Sequence, residues 1–271
     1  MKISKFVAAL TILSFLSSAY SAEGIHPSYR ENFGNSEMHT FDGSLYAFIN
    51  HAVQAWDPQG VSYHGIRNLI QFTKEYKIPS FGFVSQFGGP GLQFYSPKEV
   101  TYIAVSDAGQ HRLSFSQAKN FILSGGNFSL CFCELMRDLI HGTTLSTNSA
   151  PLQLFLVADG IYENGQWSYD NGLDGAKFNL ETLIKYDKSK DKRGVLKYFE
   201  TYVGGGRKDS EFCPSQNFFH FPIIVQKNYR YRIFIEDKEL GVLGKGATEI
   251  RFIIVNSKNI KQTLTSHDVR F

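Results

Sequence analysis

The segment Phe121-Ile-Leu-Ser-Gly-Gly-Asn-Phe-Ser-Leu-Cys131-Phe-Cys133-Glu-Leu-Met-Arg137-Asp138-Leu-Ile140 constrains the fold more than any other part of the chain. It reads as an apolar strand, a Gly-Gly turn, and a helix with Cys131 in its first turn. A thiol placed there sits near the positive end of the helix dipole and close to backbone N–H groups that lack intrahelical partners. Both favour thiolate over thiol, the form a cysteine nucleophile requires. The same N–H groups could hold the oxyanion formed when that sulfur attacks a carbonyl. An equally physical reading makes Cys131 a small apolar residue packed beneath a sheet.

The pieces before this segment predict the same fold class. Leu45 to Ile49 is strand-like, and Ile66 to Tyr76 carries apolar residues at helical spacing (Ile66, Leu69, Ile70, Phe72). Ile78-Pro79 closes that helix, and Ser80 to Val84 follows as a buried strand. Strand, helix, strand predicts a parallel pair joined by a crossover, hence an α/β domain with a mainly parallel sheet. Gly88-Gly-Pro-Gly91 reads as a turn. Val100–Val105 and Gln110–Phe115, joined through Asp107-Ala-Gly109, predict a β-hairpin. Asn120–Leu123 leads into the Cys131 helix, which ends at His141-Gly142, and Leu152–Val157 is a further buried strand closed by Ala158-Asp159-Gly160.

Beyond about Gly175 the pattern changes. A helix is expected over Leu180–Lys185, then strands at Phe218–Val225, Tyr229–Glu236 and Glu249–Val255, with turns at Gln226–Asn228 and Gly241–Gly246. The expected division is a leader over 1–21, an α/β domain over 22–175, and a β-rich C-terminal extension over 176–271.

The leader follows from Lys2 and Lys5, an apolar run from Phe6 to Leu16, and the small-x-small pattern Ala19-Tyr-Ser21. That is the pattern of a cleavable secretory signal peptide, too short in its apolar core to remain as a membrane anchor. A secreted or periplasmic location is therefore expected. Without Lys2 and Lys5 the formal charge of +3 falls to about +1, so no nucleic-acid footprint is expected. Of the three cysteines, Cys131 and Cys133 face different sides of a helix and cannot easily bridge each other. Cys133–Cys213 would leave Cys131 free for chemistry; Cys131–Cys213 would abolish it.

The order of these pieces resembles the isochorismatase-like cysteine hydrolase family. Lys77-Ile-Pro79 resembles the family's G-I-P landmark, and Ser124-Gly-Gly-Asn-Phe-Ser-Leu-Cys131, then Arg137-Asp138, resembles T-G-x-x-x-x-x-C-x-x-x-T-x-R-D-A, spacing included. Phe155-Leu-Val-Ala-Asp159 resembles the strand that follows. The resemblance spans roughly Leu45 to Ile161. It implies a three-layer α/β sandwich and, in active members, a Cys-Asp-Lys triad that hydrolyses small amides. There the carboxylate takes the thiol proton and the lysine supports it electrostatically.

This chain departs from that triad. Asn50 stands at the family's Asp position, and a neutral amide is no general base at ordinary pH. Val105-Ser-Asp107-Ala-Gly-Gln-His111, where the Lys should fall, contains none. His51 or His111 could replace the base, oriented by Asp107. No metal-ligand pattern or cofactor signature is readable, and Asn127 reads as a helix N-cap. Two functions are therefore expected to compete. One is an exported pseudoenzyme that binds a small-molecule ligand or a protein partner, or assembles as a homo-oligomer. The other is a secreted cysteine hydrolase of a small amide or ester with Cys131 as nucleophile. A redox role for Cys131, Cys133 and Cys213 is the third.

Overall fold

The computed structural model describes residues 39–41, 44–50, 57, 59–85, 100–105, 113–115, 118–128, 132, 135–136, 139–140, 143, 150–163, 178–182 and 228–271. Its strands are β1 (His39–Phe41), β2 (Leu45–Asn50), β3 (Ser80–Ser85), β4 (Thr101–Val105), β5 (Leu113–Phe115) and β6 (Asn120–Gly125). They continue as β7 (Leu152–Val157), β8 (Tyr162–Glu163), β9 (Phe178–Asn179), β10 (Tyr229–Ile235), β11 (Lys238–Leu243) and β12 (Thr248–Val255). Two helices are bounded, α1 (Tyr63–Glu75) and α2 (Ile260–Ser266).

Eight strands form one sheet in the order β11-β10-β12-β7-β6-β2-β3-β4. Every neighbouring pair is parallel except β10–β11. A parallel sheet must be covered on both faces, and its strands are accordingly apolar in both directions: all six residues of β2 and all six of β7 are buried. Two apolar clusters lie on opposite faces. One gathers Phe48, Phe121, Leu154 and Phe252 under helical residues Phe132, Leu135, Met136, Leu139 and Ile140, whose spacing marks one helix stripe. The other gathers Ile49, Ile122, Phe155 and Ile253 under Ile66, Leu69 and Ile70 of α1 and Ile260 and Leu264 of α2. Helices on both faces of a mainly parallel sheet make the three-layer α/β sandwich that the sequence predicts.

The β2–α1–β3 unit has the expected connection, with Ala47 paired to Ser80. α1 is stopped by a tight C-terminal turn. Lys77 adopts φ +56°, and the Ile78 N–H reaches back to the Thr73 carbonyl at 2.8 Å.

Two expectations are corrected. The hairpin over Val100–Phe115 does not form: β4 lies at the sheet edge parallel to β3, while β5 pairs in parallel with β1 in a separate two-stranded sheet. Alternation and a central glycine are equally compatible with two strands that find distant partners. The turn placed at Gly241–Gly246 is also wrong in its first half. Gly241 to Leu243 belong to β11, and the reversal occurs at Glu236-Asp237, where Glu236 takes φ +54°.

The C-terminal strands extend the main sheet, since β12 lies directly beside β7 with Phe252 opposite Leu154. α2, which follows β12, has no counterpart in the sequence reading. The leader, Gly88–Gly91, Phe218–Val225 and Cys213 lie outside the described residues, as does the helix expected over 180–185 beyond Thr182. No helix among the described residues is long and apolar enough to cross a membrane.

Candidate functional site

The chain starts the sheet in its middle. From β2 it steps to β3 and β4 on one side; from β6 it steps to β7 on the other, and later returns through β10 and β11 before β12 takes the place beside β7. Right-handed crossovers put the connecting helices on opposite faces in the two directions. The connections from β2 and from β6 therefore pass to opposite faces, and the carboxyl ends of these two strands are the place where ligands of open α/β sheets bind.

Asn50 and Gly125 face each other across that point as the last register pair of β2 and β6. Alternation along β2 sends Leu45, Ala47 and Ile49 toward α1 and Tyr46 and Phe48 toward the opposite face. Asn50, fully buried, shares the second direction. It therefore belongs to the face on which Phe132 and Leu135 pack.

The exit from β6 is held tightly. Gly125 and Gly126 take φ +72° and +76°, a left-handed pair open to glycine without strain. The Gly126 carbonyl accepts from the Tyr162 N–H at 3.2 Å, and the Phe128 N–H donates to the Tyr162 carbonyl at 2.8 Å. Asn127, between them, is paired with Tyr162 as an isolated parallel bridge and is buried. The backbone N–H groups that the N-cap expected from sequence would bind lie outside the described residues. The Asn127 carbonyl accepts from the Phe132 N–H at 3.1 Å, which turns the chain into the helical stripe. Cys131 immediately precedes Phe132 in sequence. The positions of Cys131, Cys133, His51, Asp107 and His111 lie outside the described residues, and so do Arg137 and Asp138.

The rim of the sheet's carboxyl end on the α1 side carries two carboxylates that the sequence reading did not single out as functional. Asp57 is fully buried and accepts three hydrogen bonds: from the Val61 N–H (3.1 Å), the Ser62 N–H (2.9 Å) and the Ser62 hydroxyl (2.6 Å). It organises the entry to α1. The available signal was an acidic residue five positions before a serine at a helix start. Asp159, at the end of β7, accepts from the Ser257 N–H at 2.8 Å and the Ser257 hydroxyl at 2.5 Å. Asn68 of α1 donates its Nδ2 to the same Ser257 hydroxyl at 2.9 Å. Ser124 of β6 donates its hydroxyl to the Gly160 carbonyl at 3.0 Å. Asn179 ties in by donating Nδ2 to the Val61 carbonyl at 3.0 Å.

These carboxylates are taken up by hydrogen bonds within the rim, on the face opposite to Asn50. They brace the start of α1 and the end of β7. No group of three or more His, Cys, Asp or Glu residues able to hold a metal ion occurs among the described residues.

No protein-family model matches the chain, and no curated protein matches it. Among solved structures, the chain is similar to YcaC from Pseudomonas aeruginosa, crystallised with hexane-2,5-diol and covalent acrylamide. The identity is 13%, over 49% of this chain and 71% of that one, with a TM-score of 0.34. It is also similar to the YcaC gene product of Escherichia coli, described as an octameric hydrolase of unknown specificity. There the identity is 12%, over 59% of this chain and 88% of that one, with a TM-score of 0.30.

Proposed function

We propose that this chain is an exported, isochorismatase-like protein that binds a small-molecule ligand or a partner at the carboxyl ends of β2 and β6 without hydrolysing it. The observation that supports this reading is the placement of Asn50. It ends the central strand, on the face where the Phe132 helix packs, fully buried beside Gly125. A thiol-activating base is needed at that place, and a carboxamide has no basic lone pair to offer at ordinary pH. Burial removes bulk water as a substitute proton acceptor. The end of β2 thus offers a carboxamide that can donate and accept hydrogen bonds, and no general base.

A second reading is favoured by one feature. The glycine pair and the Asn127–Phe132 hydrogen bond turn the chain into the helix that holds Phe132, the residue next to Cys131 in sequence. A thiol in the first turn of a helix lies near unpaired backbone N–H groups that favour thiolate. In that case Cys131 is the nucleophile of a cysteine hydrolase, with His51 or His111 as base.

One experiment separates them. The mature protein is mixed with an activated ester and rapid product release is followed in wild type and in Cys131→Ala. No burst above that of Cys131→Ala is expected for the binding protein. A stoichiometric burst that disappears in Cys131→Ala would overturn it in favour of the hydrolase. Export is tested by the mass of the protein recovered from the envelope fraction, where loss of residues 1–21 is expected.

A further inference from the structure

We draw no further inference here: the strongest candidate, the surface cluster at the C-terminal end of α1 where Phe271 packs on Phe72 and Tyr76 beside the exposed Lys261 of α2, carries nothing because nothing in the structure shows what covers it.

Discussion

A side-chain carbon placed on Gly125 would lie 2.2 Å from the backbone carbonyl oxygen of Asn50 and 3.0 Å from its nitrogen. The end of β2 and the exit of β6 are therefore in backbone contact that only glycine permits. Alanine at 125 meets this clash in addition to the cost of φ +72°. Gly60 provides the control, with φ +64° but its nearest neighbour at 3.9 Å. Gly125→Ala is expected to lose about 3 kcal/mol and Gly60→Ala about 1 kcal/mol. Urea denaturation compares them directly, and equal losses would mean that contact with Asn50 constrains nothing.

Gly65 sits inside α1, where alanine is ordinarily the better residue by about 1 kcal/mol. Here a Cβ would stand 2.3 Å from the backbone of Asp159 and Gly160. Backbone on both sides cannot yield as a side chain can. Gly65→Ala should therefore destabilise by about 2–3 kcal/mol, the reverse of the helix-propensity expectation. A raised melting temperature in the variant would show that α1 is free to move away from β7.

Both contacts explain what was legible in the sequence. The parallel sheet announced itself because Leu45–Ile49 and Ser80–Val84 are short apolar runs separated by a helical period, a local pattern with one common solution. The β6–helix segment was readable for the same reason, since Gly125-Gly126 forces a turn whatever lies around it. Pairing partners were not readable. β4 and β5 look like a hairpin because alternation records only which residues face a core, while the choice between each other and β3 or β1 is made by distant packing. α2 escaped because seven residues with only Ile260, Thr263 and Leu264 buried give a period too short to detect. At the site, a carboxamide, Asn50, at the end of the first strand of the βαβ unit was plain from the sequence. The bracing by Asp57 and Asp159 was not, because their partners Ser62 and Ser257 become neighbours only through the turn before α1 and the end of β12.

Asp159 and Ser257 join the last parallel strand to the rim of the sheet's carboxyl end. Removing the carboxylate leaves the Ser257 N–H and hydroxyl without their acceptor, with Ser257 only 6% exposed. Asp159→Ala should lower stability by about 2 kcal/mol. Asn68→Ala, which removes a single donor to Ser257, should cost less, about 1 kcal/mol. A double variant that loses less than the sum of the two is expected, because both act through the same hydroxyl. Additive losses would refute that coupling.

Glu249 makes the outer sheet sensitive to acid. Burial by itself would raise its pKa, but hydrogen bonds from Arg251 and Arg230 and the charges of Arg251 and Arg232 outweigh burial, so the carboxyl sits below its ordinary value of 4.5. A carboxyl whose folded-state pKa is depressed contributes stability above its unfolded value, and that contribution is lost as pH falls through the folded value. Glu249→Gln should therefore cost about 1 kcal/mol at neutral pH, and its deficit should shrink once the wild-type carboxylate is itself protonated. Denaturation of both proteins at about pH 7 and about pH 3 reads the difference. A deficit of the same size at both pH values would mean that Glu249 acts through packing alone, and the three arginines would then have to be balanced by other groups.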